Sequence, residues 1–268
     1  MIKDWKNLLI PYEQAVEELK VKFKSIRNEF RRLDEYSPIE FVTGRTKRIT
    51  SIINKAKLRE ISLDEIEEKI EDIAGIRIMC QFVEDIDRVT QLIRDRSGKD
   101  LTIVEERDYI TNNKGSGYRS YHIIIKYPVH TAFGEKEILA EIQIRTLAMN
   151  FWATIEHSLN YKFQHNIPDN IKNRLRNAAE AAFKLDKEMS EIREEVMEAQ
   201  EVFQAKSSLV EDIVKKMQNL YFIGRNQQVE RIREKFTILQ EKGNVPELRE
   251  LNRELDELMA RYELKYYS

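Results

Sequence analysis

The chain predicts an α+β fold, a mixed β-sheet flanked by helices and followed by long carboxy-terminal helices. Three observations carry this. The first thirty residues repeat apolar side chains every three or four positions. The segment between Ile73 and Arg145 alternates and is rich in strand formers. Everything beyond Arg145 returns to helical spacing.

Each element follows from its residues. Trp5, Leu8, Tyr12, Ala15, Leu19, Phe23, Ile26 and Phe30 mark one helix from about Asp4 to Arg32. Lys20, Lys24 and Arg27 fall on an adjacent stripe, which on spacing alone reads as a solvated face. Thr43-Gly44-Arg45-Thr46-Lys47-Arg48 reads as a glycine-containing turn entering a second helix, about Thr46 to Arg59. Ser62 and Glu65 form a capping-box pattern for a short helix. Ile76 to Phe82 reads as a strand, Asp85 to Arg96 as a helix, and Ser97-Gly98 as a turn. Strands follow near Leu101–Arg107, Tyr121–Tyr127 and Ile138–Arg145, the last two joined by a hairpin connection centred near Gly134. Thr146 to Tyr161 is one helix, and Pro168 stands near the start of another. From Ile171 to Phe203 that helix carries a heptad seam, suited either to its own domain or to another subunit. After Lys206-Ser207-Ser208 the sequence predicts a separate helical extension with a turn near Lys242–Pro246 and a stripe of Leu248, Leu251, Leu255 and Leu258. The expected division is therefore 1–206 and 207–268.

Composition narrows the function. The 268 residues carry 45 basic against 47 acidic side chains, a net charge of −2, which argues against a generally basic nucleic-acid binder. The single cysteine, Cys80, lies in an apolar run and reads as a buried thiol. There is no signal-peptide core and no apolar run near the ~20 residues of a membrane span, so a cytoplasmic protein with no membrane partner is expected.

The chemistry concentrates in three segments. On the last sheet strand, Glu141, Gln143 and Arg145 alternate with Ile142 and Ile144, so a carboxylate, an amide and a guanidinium share one face. Asp72 precedes the first predicted strand. Two carboxylates converging from separate strands suit Mg²⁺ bound to phosphate oxygens; a turn cap and a surface ion pair explain them separately. The nearby Arg77 and Arg145 favour a phosphoryl-transfer site. Lys114-Gly115-Ser116-Gly117 offers a cation and approachable backbone amides without being a Walker A loop, and Tyr118 and His122 follow. Tyr118 suits base stacking and His122 a phosphate or ribose contact; a core tyrosine and a satisfied histidine fit equally well. Ser51 and Lys55 lie one turn apart near a helix start, where polyphosphate binds readily, and ordinary surface charge is the competing explanation.

Taken together, Asp72-Ile73-Ala74-Gly75-Ile76-Arg77, Gly117-Tyr118-Arg119-Ser120-Tyr121-His122 and Glu141-Ile142-Gln143-Ile144-Arg145 resemble, in this order, the RelA/SpoT-type (p)ppGpp synthetases. The stretches from Ser37 to Arg45 and from Ala148 to Tyr161 resemble the small alarmone synthetases of the RelQ type, and the likeness covers about residues 5–205. The resemblance implies a nucleotidyltransferase-like sheet. It implies transfer of pyrophosphate from ATP to the 3′-hydroxyl of GDP or GTP, leaving AMP, in the stringent response. It implies that Asp72 and Glu141 hold Mg²⁺, with Glu141 also the general base. Arg45 and Arg77 would sandwich adenine, while Lys47, Ser51 and Lys55 would contact the ATP phosphates. Tyr118 would stack on guanine, and Lys114, His122, Gln143, Asn150 and Arg107 would fix the guanine nucleotide. A homotetramer is implied, with Lys20, Lys24, Arg27, Phe41 and Thr43 lining an allosteric site for pppGpp, and single-stranded RNA as a further partner of the class. One position departs from the pattern: Leu58 stands where the family often has arginine, between Lys57 and Arg59. The alternatives are a nucleotide- or RNA-binding regulator of the same fold with weak or lost catalysis, and a nucleotidyltransferase with another acceptor.

Overall fold

A computed structural model describes residues 4–112, 115–163, 167–222, 226–242 and 245–266, without side-chain description at 161–162, 226–228, 242 and 261–266. The chain forms two compact units, Met1–Glu191 and Ile192–Ser268.

The first unit is built on a five-stranded mixed sheet of order β1-β2-β5-β4-β3. Its strands are β1 (Phe41–Thr46), β2 (Ala74–Cys80), β3 (Thr102–Asp108), β4 (Tyr121–Thr131) and β5 (Gly134–Thr146). Only β2 and β5 run parallel; the other pairs are antiparallel. Helix α1 (Trp5–Arg32) starts at Asp4, whose carboxylate accepts from the amides of Lys6 and Asn7. Its apolar stripe, from Leu8 through Tyr12, Leu19 and Phe23 to Ile26, is buried in one core with Ile76, Ile78, Ile123, Ile125, Ile142 and Ile144. These isoleucines line one face of the sheet by strict alternation, so the polar residues between them emerge on the other.

The remaining helices of this unit are α2 (Ile49–Leu58), α3 (Ile66–Lys69) after a 3-10 turn at Leu63–Glu65, α4 (Glu84–Arg94) and α5 (Leu147–Lys162). The predicted capping box of Ser62 and Glu65 is present, and Thr146 caps α5 by accepting from the amide of Met149. Helix α6 (Asp169–Phe222) then begins directly after Pro168.

Two expectations need correction. Phe41–Thr46 is an edge strand rather than a turn, paired along its whole length with β2. Gly44 imitates a turn signal but is there for packing: a Cβ on it would lie 2.9 Å from side-chain atoms of Val16, Lys20 and Ile76. Secondly, α6 runs without a break through Lys206–Ser208, because the apolar pattern resumes at once with Leu209, Val210 and Ile213. The two units divide upstream of the expected boundary, within this helix. The heptad residues Leu185 and Met189 are exposed, whereas Ala179, Asp186 and Ser190 form the covered face.

The second unit has its own core. Ile213, Met217 and Leu220 of α6 are buried with Val229, Phe236 and Leu239 of α7 (Asn226–Lys242) and Leu248, Leu251 and Leu255 of α8 (Val245–Tyr266). Lys216 bridges Asp212 at 2.8 Å and Asp256 at 2.5 Å, tying α6 to α8.

Candidate active site

Strand register assembles the site. Thr43 pairs with Arg77, Arg77 with Gln143, Gln143 with His122, and His122 with Arg107. These five residues form one row across all five strands. One step along the same face, Arg45 sits opposite Gly75, and Gly75 opposite Glu141. Thr43, Arg45, Asp72, Arg77, Glu141 and Gln143 line a common cleft.

Both carboxylates arrive already partnered. Asp72, in the turn before β2, receives Lys47 Nζ and Lys55 Nζ, each at 2.7 Å. Burial opposes its charge, but the two ammonium groups outweigh burial and hold its pKa below the ordinary aspartate value. Glu141 contacts His122 Nδ1 at 3.0 Å through Oε1 and accepts from Gln143 Nε2 at 2.6 Å through Oε2. Burial again opposes its charge; His122 and Gln143 outweigh it and the nearby Asp72 works against them, leaving its pKa lowered. Both groups are therefore carboxylates at neutral pH.

The cations surround them. Arg77 Nε donates to Gln143 Oε1 at 3.2 Å. Burial and the neighbouring Arg145 and Arg45 push its pKa down. Arg45 and Arg77 occupy diagonal positions on adjacent strands, a backbone spacing of about 7–8 Å. Arg107 makes a two-pronged ion pair with Glu71, at 2.9 and 2.7 Å, and also pairs with Glu105. Ser51 and Lys55 share α2.

Arg145, whose role the sequence leaves open, is buried and donates to Ser120 Oγ at 3.1 Å, Gln143 Oε1 at 2.7 Å and the Tyr118 hydroxyl at 2.5 Å. It ties Ser120 and Tyr118, at the start of β4, to Gln143 on β5. The Tyr118 hydroxyl also meets His122 Nε2 at 2.8 Å. The ring of Tyr118 packs with Trp152, Ala153 and Ala179, so it is half-buried rather than a free platform. Asn150 lies on α5 with its Oδ1 buried and without a hydrogen bond among the described residues. Lys114 lies outside the described residues.

The other expected group lies on α1 and β1. Lys20, Lys24 and Arg27 ride on α1, with Lys20 paired to Glu17 at 2.7 Å and Arg27 Nη1 donating to the Glu40 carbonyl at 3.1 Å. Phe41 and Thr43 are on β1, and Thr43 also lines the cleft.

Three participants carry no role assigned from the sequence, although Arg119 stands within one of its motifs. Glu71 anchors Arg107. Arg119 ties the loop before β4 to α6. Tyr109 packs edge-on against His122 at 5.1 Å and Tyr118 at 6.1 Å between centroids. Tyr109 was within reach: it follows Arg107 by two residues, the spacing that returns to the same strand face.

The family defined by the region found in RelA/SpoT proteins matches residues 44–166. Over 204 residues the chain is 60% identical to the GTP pyrophosphokinase YjbM of Bacillus subtilis (strain 168), covering 76% of this chain and 95% of that protein. The chain belongs to the small alarmone synthetases of the RelA/SpoT family. Among solved structures, small alarmone synthetase 1 of Bacillus subtilis bound to its product pppGpp is 60% identical. It covers 72% of this chain and 98% of its own, with a TM-score of 0.69. The same synthetase bound to AMPCPP gives 58% identity and a TM-score of 0.65 over 72% of this chain and 98% of its own. These matches agree with the mixed-sheet, α+β architecture expected of a small alarmone synthetase. No helix among the described residues is long and apolar enough to cross a membrane.

Proposed function

We propose that this small alarmone synthetase transfers the pyrophosphoryl group of ATP to the 3′-hydroxyl of GDP or GTP, giving ppGpp or pppGpp and AMP, with the chemistry centred on Glu141. The supporting observation is the in-register row Thr43–Arg77–Gln143–His122–Arg107, with both carboxylates beside it. Adenine enters between Arg45 and Arg77, and the phosphates meet Lys47, Ser51 and Lys55. The guanine nucleotide lies on the β4 side, against Tyr118, His122, Gln143 and Asn150, with Arg107 reaching its phosphates and Lys114 completing that group. Nucleotide binding draws Lys47 and Lys55 from Asp72 to phosphate, which frees the carboxylate.

The donor set fits Mg²⁺. Among the described residues no three ligating side chains cluster, and Mg²⁺ commonly takes one or two carboxylates, leaving its other positions to water and phosphate oxygens. Asp72 and Glu141 are the carboxylates that would hold it. When bound, the ion supplies neutralisation of charge on the phosphate oxygens.

Glu141 accepts the proton of the attacking 3′-hydroxyl. Its two oxygens are held by His122 and Gln143, so it needs no reorientation before reaction. Lys47, Lys55 and Arg77 stabilise the charge that builds on the transferring group. Glu141→Gln should lower turnover by at least about a hundredfold while the protein stays folded and still unfolds cooperatively, at a slightly lower temperature. Turnover near wild type would remove Glu141 from the base role.

Two features extend this reading. Phe151, Leu185 and Met189 are exposed apolar side chains on α5 and α6, supporting self-association into a homotetramer. Lys20, Lys24, Arg27, Phe41 and Thr43, arranged around the edge strand, support an allosteric pppGpp site. Sizing of the full chain, with and without pppGpp, tests both.

A further inference from the structure

We infer that Arg119 is a positioning residue for the guanine nucleotide, fixing the Tyr118 segment to helix α6; the inference rests on the placement of Tyr118 in the guanine site. Arg119 is only 7% exposed. Its Nη2 donates to Glu180 Oε1 at 3.0 Å, and its guanidinium carbon lies 4.1 Å from the centroid of the Phe183 ring. Its Nε and Nη1 are buried without a hydrogen bond among the described residues. For packing alone this is an unfavourable choice. An apolar side chain would fill the space without desolvating a charge and leaving two donors unmet. What arginine supplies is direction: one ion pair and one stacked plane, both on the same face of α6.

Gly117 makes the second anchor. Its φ of +88° suits glycine, and a Cβ there would stand 2.6 Å from the Cβ of Ala179. The backbone on one side of Tyr118 is therefore pressed against α6 at Ala179, and Arg119 on the other side is held at Glu180 and Phe183. Between these anchors the Tyr118 hydroxyl meets Arg145 and His122. Loss of the Arg119 anchor shifts Tyr118 relative to His122 and Gln143. Arg45 and Arg77, on β1 and β2, keep their positions because that side of the sheet does not touch α6 through Arg119. The effect is therefore selective for the guanine nucleotide.

The test is steady-state kinetics on the full chain with Arg119→Met, Arg119→Lys, Glu180→Gln and, as a reference, Tyr118→Ala. Arg119→Met should raise KM for GTP about tenfold, with KM for ATP nearly unchanged. Arg119→Lys should recover part of the loss. Glu180→Gln, a substitution at the surface end of the pair, should give a smaller shift in the same direction and should not add fully to Arg119→Met. KM values for both nucleotides moving together, or a fall only in thermal stability and active fraction, would overturn the inference. An unchanged KM for GTP in Tyr118→Ala would remove the guanine assignment beneath it, and the inference with it. An effect of Tyr118→Ala without one of the Arg119 and Glu180 variants would overturn the inference alone.

Discussion

Asp72 and Glu141 show how a site keeps two neighbouring carboxylates ionised. Asp72 uses two lysines, and Glu141 uses a histidine and an amide. Their lowered pKa values mean that each contributes stability above the ordinary carboxylate range, lost as pH falls through the folded value. Asp186 has the opposite sign. It is buried on α6, where burial first and Glu84 as a further cause push its pKa up to about 6, although the Thr146 hydroxyl donates to it at 2.6 Å. The folded state then holds a proton that the unfolded state has lost, so stability falls as pH rises from about 4 to 6 and stays lower above that. Asp186→Asn should abolish that fall and raise stability at pH 7 by on the order of 2 kcal/mol at most, measured by denaturant unfolding across pH 4–7. A steeper loss in the variant would show that the ionised form is the stabilising one. At this scale the sequence disclosed the reactive groups, since Glu141, Gln143 and Arg145 announce a polar face by alternation alone. It could not disclose what Arg119 and Asp186 do, because their partners Glu180 and Thr146 are distant in sequence.

At the scale of elements, register does the assembling. A shift of one residue in β4 or β5 would turn His122 or Gln143 into the core and Ile123 or Ile142 into the cleft. The strands' existence was readable from alternation, but their order was not, because pairing across the sheet depends on contacts far apart in sequence. β1 is hidden in the sequence for a local reason: Gly44 and the charged residues after it look like a turn. The structure gives Gly44 its work in letting α1 lie close to β1. Gly44→Ala should therefore destabilise the protein by about 1–3 kcal/mol, read as a lower denaturation midpoint. An unchanged midpoint would mean that Val16 and Lys20 yield without cost.

On the scale of the whole molecule, the residues proposed to act in catalysis all lie in Met1–Glu191, and Ile192–Ser268 has a separate core. A chain ending at Lys206 should keep its turnover per active site; a loss would tie the extension to catalysis. The helical character of that extension was evident from Leu248, Leu251 and Leu255. The continuity of α6 was not, because Ser207 and Ser208 interrupt the apolar pattern without breaking the helix. The central claim is pyrophosphoryl transfer to a guanine nucleotide, and its most direct test is identification of products by mass from ATP, GTP and Mg²⁺. AMP and pppGpp in equal amounts, with no AMP when GTP is omitted, is the predicted result. Release of pyrophosphate with a nucleotidylated acceptor, or AMP formation that does not depend on GTP, would contradict it.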